Sequence, residues 1–178
     1  MSTVNRELVF QRIYHAQAEL VYFMWTDPMQ LSQWYGPNGY TLTTEKMDLH
    51  PGGSWSYTLQ GTNGKNYSNQ VLFLELERPG KIVYRYIEDG SSVATPFVMQ
   101  LFFEPEGATT RLTLQLVFDT PEDLEWMARC YEVIGGCRQI LQRLAKYLDI
   151  IQPAEKKFAQ PKGSLIFATE GLPNTPAM

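Results

Sequence analysis

Between residues 41 and 118 the chain divides into strand-like segments, and the stretch that follows carries one helical stripe. That order constrains the fold more than any other feature. The segments fall near 41–49, 54–60, 67–77, 81–89, 96–105 and 110–118, each bounded by Gly, Pro or Asn. Connections this short make neighbouring strands antiparallel hairpins. Period-two alternation sorts their faces: Trp55, Tyr57 and Leu59 oppose Ser56, Thr58 and Gln60. In the same way Phe97, Met99, Leu101 and Phe103 share one side, and Leu112, Leu114, Leu116 and Phe118 oppose Thr113 and Gln115. These larger sets are expected to face the interior. The segment "QVLFLELE" (70–77) is apolar on both faces as far as Leu74, which predicts that its outer side is covered as well.

Residues 120–151 read as one long helix, opened by Thr120 as N-cap, Pro121 at the first position and acids in the first turn. Its stripe is Leu124, Met127, Tyr131, Ile134, Cys137, Leu141, Leu144 and Leu148. About thirty residues at 1.5 Å each give ~45 Å, enough to cross a sheet of nine-residue strands, ~30 Å long. Gly135-Gly136 in its middle predicts a bend or a close backbone approach. Ahead of the strands lie a first strand (6–14), a short helix (17–25) and a second short helix, which Asp27 caps and Pro28 opens. That second helix carries Met29, Leu31 and Trp34 before "YGPNG" stops it.

The sum is an α+β fold: a curved antiparallel sheet of six to seven strands wrapped around a C-terminal helix, with two short helices after the first strand. The expected organisation is one domain, 1–151, and an extension, 152–178. The extension contains "GSLIFATEGL", too apolar for a simple solvated tail, and is expected to dock on the sheet or on a partner subunit. A twisted sheet curves, and one helix about 10–12 Å across need not fill the concavity. Trp55, Tyr57, Met99, Phe103, Met127 and Tyr131 are then candidates to line an apolar cavity. The same residues line ordinary cores, and periodicity does not separate a pocket from a filled interior.

Several function classes are disfavoured. The net charge is -4, and the 15 Lys and Arg are scattered apart from Lys156-Lys157, so no basic stripe suits nucleic acid. No apolar run approaches a membrane span of ~20 residues, and "MSTVNRELVF" lacks the order of a signal peptide, so the expected location is cytoplasmic. The two cysteines, Cys130 and Cys137, lie two turns apart on the expected helix, ~10 Å, too far for a disulfide. The two histidines, His15 and His50, read as surface or turn residues. No nucleophile elbow, phosphate-cradling loop or zinc spacing is present, and neither a metal nor a cofactor is expected. Glu45 and Asp48, three apart on one strand, point to opposite faces unless a bulge intervenes.

The order of elements, with "TDPMQLSQWYGP" (26–37), "DLHPGGSWSYT" (48–58), "ELERPGKIVYRY" (75–86) and "TTRLTL" (109–114), resembles the family homologous to the activator of the heat-shock-protein-90 ATPase. That family belongs to the START and polyketide-cyclase (SRPBCC, helix-grip) superfamily. The likeness covers residues 6–150. It implies a helix-grip fold with a cavity that in many relatives takes apolar molecules. It also implies that Trp34 and Tyr35 sit beside the cavity mouth and that Gly52-Gly53 turn the chain tightly between strands. Two departures stand out: Tyr35 replaces a second Trp, and Gly136-Cys137 replaces a Gly-Trp pair, which should reshape the deep end of the cavity. The ligand-lining set is therefore Trp34, Tyr35, Trp55, Tyr57, Tyr86, Met99, Phe103, Met127, Tyr131 and Ile134, with no catalytic residue assigned.

Three functions compete. The first is binding of a small apolar or amphipathic molecule between sheet and C-terminal helix. The second is an interaction module with a chaperone partner, in keeping with the family name. The third is a cyclase- or hydrolase-type enzyme, which would need a buried carboxylate or a Tyr–acid pair in the cavity. Homodimerisation is compatible with all three and is suggested by the two-sided strand and the apolar tail.

Overall fold

The computed structural model describes residues 5–87 and 95–152. Its elements run β1 (Glu7–Tyr14), α1 (Ala18–Thr26), α2 (Pro28–Trp34), β2 (Tyr40–Met47), β3 (Ser54–Gly61), β4 (Asn66–Glu77), β5 (Lys81–Tyr86), β6 (Phe97–Glu106), β7 (Thr109–Phe118), α3 (Pro121–Cys130) and α4 (Val133–Ile151). The strands form one seven-stranded sheet in the order β1-β7-β6-β5-β4-β3-β2. Every neighbouring pair is antiparallel. The first strand thus lies at the β7 edge rather than beside β2. This is the α+β, helix-grip arrangement expected from the sequence.

Local chemistry sets the element boundaries. The Asp27 carboxylate accepts from the Gln30 amide at 3.0 Å, and Pro28 opens α2 where its missing N–H costs nothing. Thr120 and Asp123 cap α3 reciprocally: the Asp123 amide donates to the Thr120 hydroxyl, and the Thr120 amide to the Asp123 carboxylate. In the sheet, the alternating sets meet across strands, with Met99 opposite Leu116, Leu101 opposite Leu114 and Phe103 opposite Leu112. All six are buried. Gly52 has φ +86, and a Cβ on Gly53 would lie 2.1 Å from the Asp48 carbonyl oxygen, so the β2–β3 turn closes only with glycine at 53.

The single helix expected over 120–151 is two. α3 ends at Cys130, and Glu132, at φ 46 and ψ 39, turns the chain in the left-handed region before α4 begins. The expected stripe is therefore divided: Met127 is buried from α3, whereas Cys137, Leu141, Leu144 and Leu148 are buried from α4. A physical reason for the break is local. Gly135 and Gly136 follow at once, each costing up to ~1 kcal/mol in a helix, so helical continuity is weakest there. Breaking the helix also lets each apolar face meet the sheet separately. The glycines consequently sit in the first turn of α4, not mid-helix, and Gly136 approaches Pro37 while Gly135 faces open space.

α4 is tied to its surroundings by several polar contacts, among them one from the Asn38 amide to the Gln139 side chain at 2.9 Å. Tyr14 donates to the Leu141 carbonyl at 2.9 Å, and Tyr147 to the Gln30 side chain at 2.8 Å. The Arg143 guanidinium donates through Nη1 to the carbonyls of Gly36, Pro37 and Tyr40 at 2.9, 2.9 and 3.2 Å. Arg143 thus holds the "WYGPNGY" segment (34–40) against α4 through three of its carbonyls, of which that of Pro37 also accepts from the Tyr40 amide. Leu74, expected to be covered, is 40% exposed. The 152–178 extension expected to dock lies, from residue 153, outside the described residues.

Candidate functional site

Between the sheet and α4 lies a cavity of about 190 Å³. From the sheet side come Tyr57 and Leu59 of β3, Asn69 of β4, Tyr86 of β5, Phe97 and Met99 of β6, and Leu116 of β7. From the other side come Tyr35 and Pro37 after α2, Met127 of α3, Tyr131 at the helix break, and Val133, Gly136, Cys137 and Ile140 of α4. No lining side chain carries a formal charge. A second hollow of about 420 Å³ shares Pro37, Leu59, Asn69 and Tyr131 with the first and adds Tyr40, Tyr67, Cys130 and Glu132. It includes the exposed residues Cys130, Tyr131 and Glu132 at the α3–α4 junction.

Six of the ten residues expected at a ligand line the inner cavity: Tyr35, Tyr57, Tyr86, Met99, Met127 and Tyr131. The other four sit elsewhere. Trp34 is 1% exposed and packs edge-on against Trp25, ring centroids 4.9 Å apart. Trp55 stacks on Tyr57 at 4.1 Å and donates its indole N–H to the Thr44 hydroxyl at 3.1 Å. Phe103 packs against Tyr22 of α1 at 5.4 Å. Ile134 is 38% exposed and does not line the cavity. Alternation gave the correct face for Trp55 and Phe103 but not the position along it. Phe103 lies four residues past Met99, roughly 13 Å along the strand, which places it under α1 instead of the cavity.

Trp34 and Tyr35 do not flank the mouth. Tyr35 is inside, 3% exposed, with Trp34 behind it. The departure at 137 does face the cavity: Cys137 lines it where an indole was expected in relatives. Leu59, Asn69, Phe97, Leu116, Val133 and Ile140 were not singled out from sequence. Leu59, Phe97 and Leu116 were legible there as members of the inward-facing sets; Asn69, a polar residue in an alternating strand, gave no such signal.

Besides the Asn69 amide, the Tyr131 hydroxyl and the Cys137 thiol, the polar content of the cavity is a chain of phenols. Tyr35 and Tyr86 hydroxyls are 3.1 Å apart, Tyr57 and Tyr86 hydroxyls 2.9 Å, and Tyr84 behind them donates to the Met99 sulfur at 2.8 Å. Burial pushes the pKa values of Tyr57, Tyr84 and Tyr86 well above the usual tyrosine value, and raises that of Tyr35. Burial likewise pushes the Cys137 thiol up to about 12. These groups are neutral hydrogen-bonding partners at physiological pH, not bases or nucleophiles.

The carboxylates of Glu45 and Asp48 do not line the cavity. A bulge between Thr44 and Lys46 interrupts β2 at Glu45, which is exposed and accepts from the Thr58 hydroxyl at 2.7 Å. Asp48 pairs with Lys46 at 2.8 Å. His15 and His50 are exposed. Among the described residues no cluster of three or more His, Cys, Asp or Glu is placed to hold a metal, and no helix is long and apolar enough to cross a membrane.

Solved structures with the same fold are numerous, though distant in sequence. A protein from Arthrobacter aurescens superposes with a TM-score of 0.76 at 21% identity, covering 88% of this chain and 92% of its own. One from Nitrosomonas europaea gives 0.72 at 20% identity, covering 82% and 96%. The AHSA1 protein from Silicibacter pomeroyi gives 0.67 at 22% identity, covering 82% and 99%. No curated protein matches the chain significantly. The model of the family described as "Activator of Hsp90 ATPase homolog 1-like protein" matches residues 15–149, most of the chain, and the protein therefore belongs to that family.

Proposed function

We propose that this protein binds a small, largely apolar molecule in the cavity between its sheet and α4. The observation that carries the reading is the cavity of about 190 Å³ itself, lined by apolar side chains and a few neutral hydroxyl, amide and thiol groups. Such a composition suits orientation of an apolar ligand by a small number of polar contacts. An apolar void left empty forfeits dispersion contacts, at ~24 cal/mol per Å³ of residual cavity by the large-to-small mutation scale, so an occupant stabilises the fold. In this reading the second hollow, which shares Tyr131 with the cavity, is the route in.

The test is an NMR titration of the protein with a broad panel of apolar compounds, repeated on Met127→Trp. Saturable shifts from at least one compound, abolished when the indole fills the cavity, are the expected result. An absence of saturable binding across the panel removes the reading.

A further inference from the structure

The three cavity hydroxyls, Tyr35, Tyr57 and Tyr86, are each at least nine-tenths buried. Tyr86 sits between the other two. Each phenol has one proton to give and two lone pairs to fill. The two contacts consume two of the three protons and leave lone pairs on Tyr57. The Tyr84 hydroxyl, whose proton goes to the Met99 sulfur, also lies against Tyr35 and Tyr86 and can accept from either, so the open end of the chain is Tyr57. The orientation of the chain is also reversible: protons can run from Tyr57 towards Tyr35 or from Tyr35 towards Tyr57. In one sense the Tyr57 end offers lone pairs, and in the other it offers an O–H.

A buried polar chain of this kind is costly when partly filled and specific when completed. What completes it is a single oxygen. A carbonyl suits one orientation and a hydroxyl suits the other. A carboxylate suits neither, because no lining side chain is cationic and the nearby Arg143 guanidinium already serves the Gly36, Pro37 and Tyr40 carbonyls. An anion would be taken out of water with no countercharge. Size narrows the class further. An engineered apolar cavity of about 150 Å³ takes benzene, and the present volume is about 190 Å³. The remaining surface is aromatic or thioether on several sides, from Phe97, Met99 and Met127.

We infer that the cavity selects a neutral, one-ring aromatic molecule bearing a single carbonyl or hydroxyl oxygen, which joins the Tyr35–Tyr86–Tyr57 hydroxyl chain. This rests on the cavity being a ligand site, and it adds the ligand's charge state, its size and the residues that read its polar group.

Three probes of one ring and similar size separate the possibilities by calorimetric titration at neutral pH: acetophenone, ethylbenzene and benzoate. Acetophenone is expected to bind about two- to twelvefold more tightly than ethylbenzene, the range of one net hydrogen bond. In Tyr86→Phe the ratio of the two affinities, both measured on the variant, falls to near one. Tyr57→Phe, which keeps the Tyr35–Tyr86 contact, provides a second variant should Tyr86→Phe not fold. Benzoate is expected to bind at least about tenfold more weakly than acetophenone. Equal binding of acetophenone and ethylbenzene by the wild type, a ratio that survives both variants, or tightest binding of benzoate overturns the inference while leaving the cavity a ligand site. If none of the three binds while the broad panel still yields a saturable ligand, only this inference falls; if the panel also fails, the cavity reading falls with it.

Discussion

The hydroxyls of Tyr57, in β3, and Tyr86, at the end of β5, lie 2.9 Å apart although β4 runs between their strands. Tyr86 also reaches the Tyr35 hydroxyl at 3.1 Å, so it is the shared partner of two buried phenols contributed by different elements. Replacing it with Phe keeps the ring contacts, including its stacking on Phe97, and removes only that shared oxygen. Tyr86→Phe is expected to destabilise the fold by about 1–3 kcal/mol, the cost of leaving buried polar groups unsatisfied. Urea unfolding of the two proteins checks this; an unchanged midpoint means that Tyr35 and Tyr57 find other partners.

Alkaline pH should unfold this protein through the groups that burial keeps neutral. The Cys137 thiol titrates at about 12 in the folded chain against 9.0 ordinarily. Between those values the unfolded chain has lost the proton and the folded chain has kept it, so stability falls as pH rises. Tyr57, Tyr84 and Tyr86, held well above 10.0, add losses in the same direction. The expected outcome is a urea midpoint that declines steeply above about pH 9. A midpoint unchanged at strongly alkaline pH contradicts it. Thiol reagents offer a parallel readout: Cys130 is exposed and Cys137 buried, so one thiol reacts in the native state and the second after unfolding.

Two glycine substitutions should act with opposite sign. Gly53→Ala places a Cβ 2.1 Å from the Asp48 carbonyl oxygen, a backbone atom that cannot move aside without opening the β2–β3 turn. A loss of about 2–3 kcal/mol is expected, as for other overpacked sites. Gly135→Ala meets nothing within 4 Å and lies in the first turn of α4. It should stabilise by up to about 1 kcal/mol through helix propensity. Thermal melts of the pair test both signs, and stabilisation by Gly53→Ala would show that the turn is more tolerant than its geometry implies.

The fold was largely legible because its signals are local and repeated. Hairpin-length connections forced antiparallel pairing, and alternation in Phe97–Phe103 and Leu112–Phe118 assigned the inner face of β6 and β7 correctly. Asp27, Pro28 and Thr120 marked helix starts through side-chain chemistry that acts within one turn. The helix break was not legible, because Glu132 in a left-handed conformation has no sequence signature and the three-to-four spacing runs on through it. The cavity was legible only in part. Periodicity says which way a side chain points, but where the sheet stops being covered depends on how far α4 sits from it. That distance is set by remote contacts such as Tyr14 to Leu141 and Arg143 to the loop at 36–40. Trp34, Trp55 and Phe103 therefore became core, while Cys137, where the resemblance put a departure at the deep end of the cavity, is part of the lining.

The most direct test of a ligand in this cavity is native mass spectrometry of the protein purified from its own host, set against its denatured mass. The account predicts a retained small molecule that is absent from Met127→Trp, whose indole occupies the same space. A native mass equal to the denatured mass, from protein kept under conditions in which added acetophenone is retained by the wild type, would contradict a resident ligand and with it the central claim.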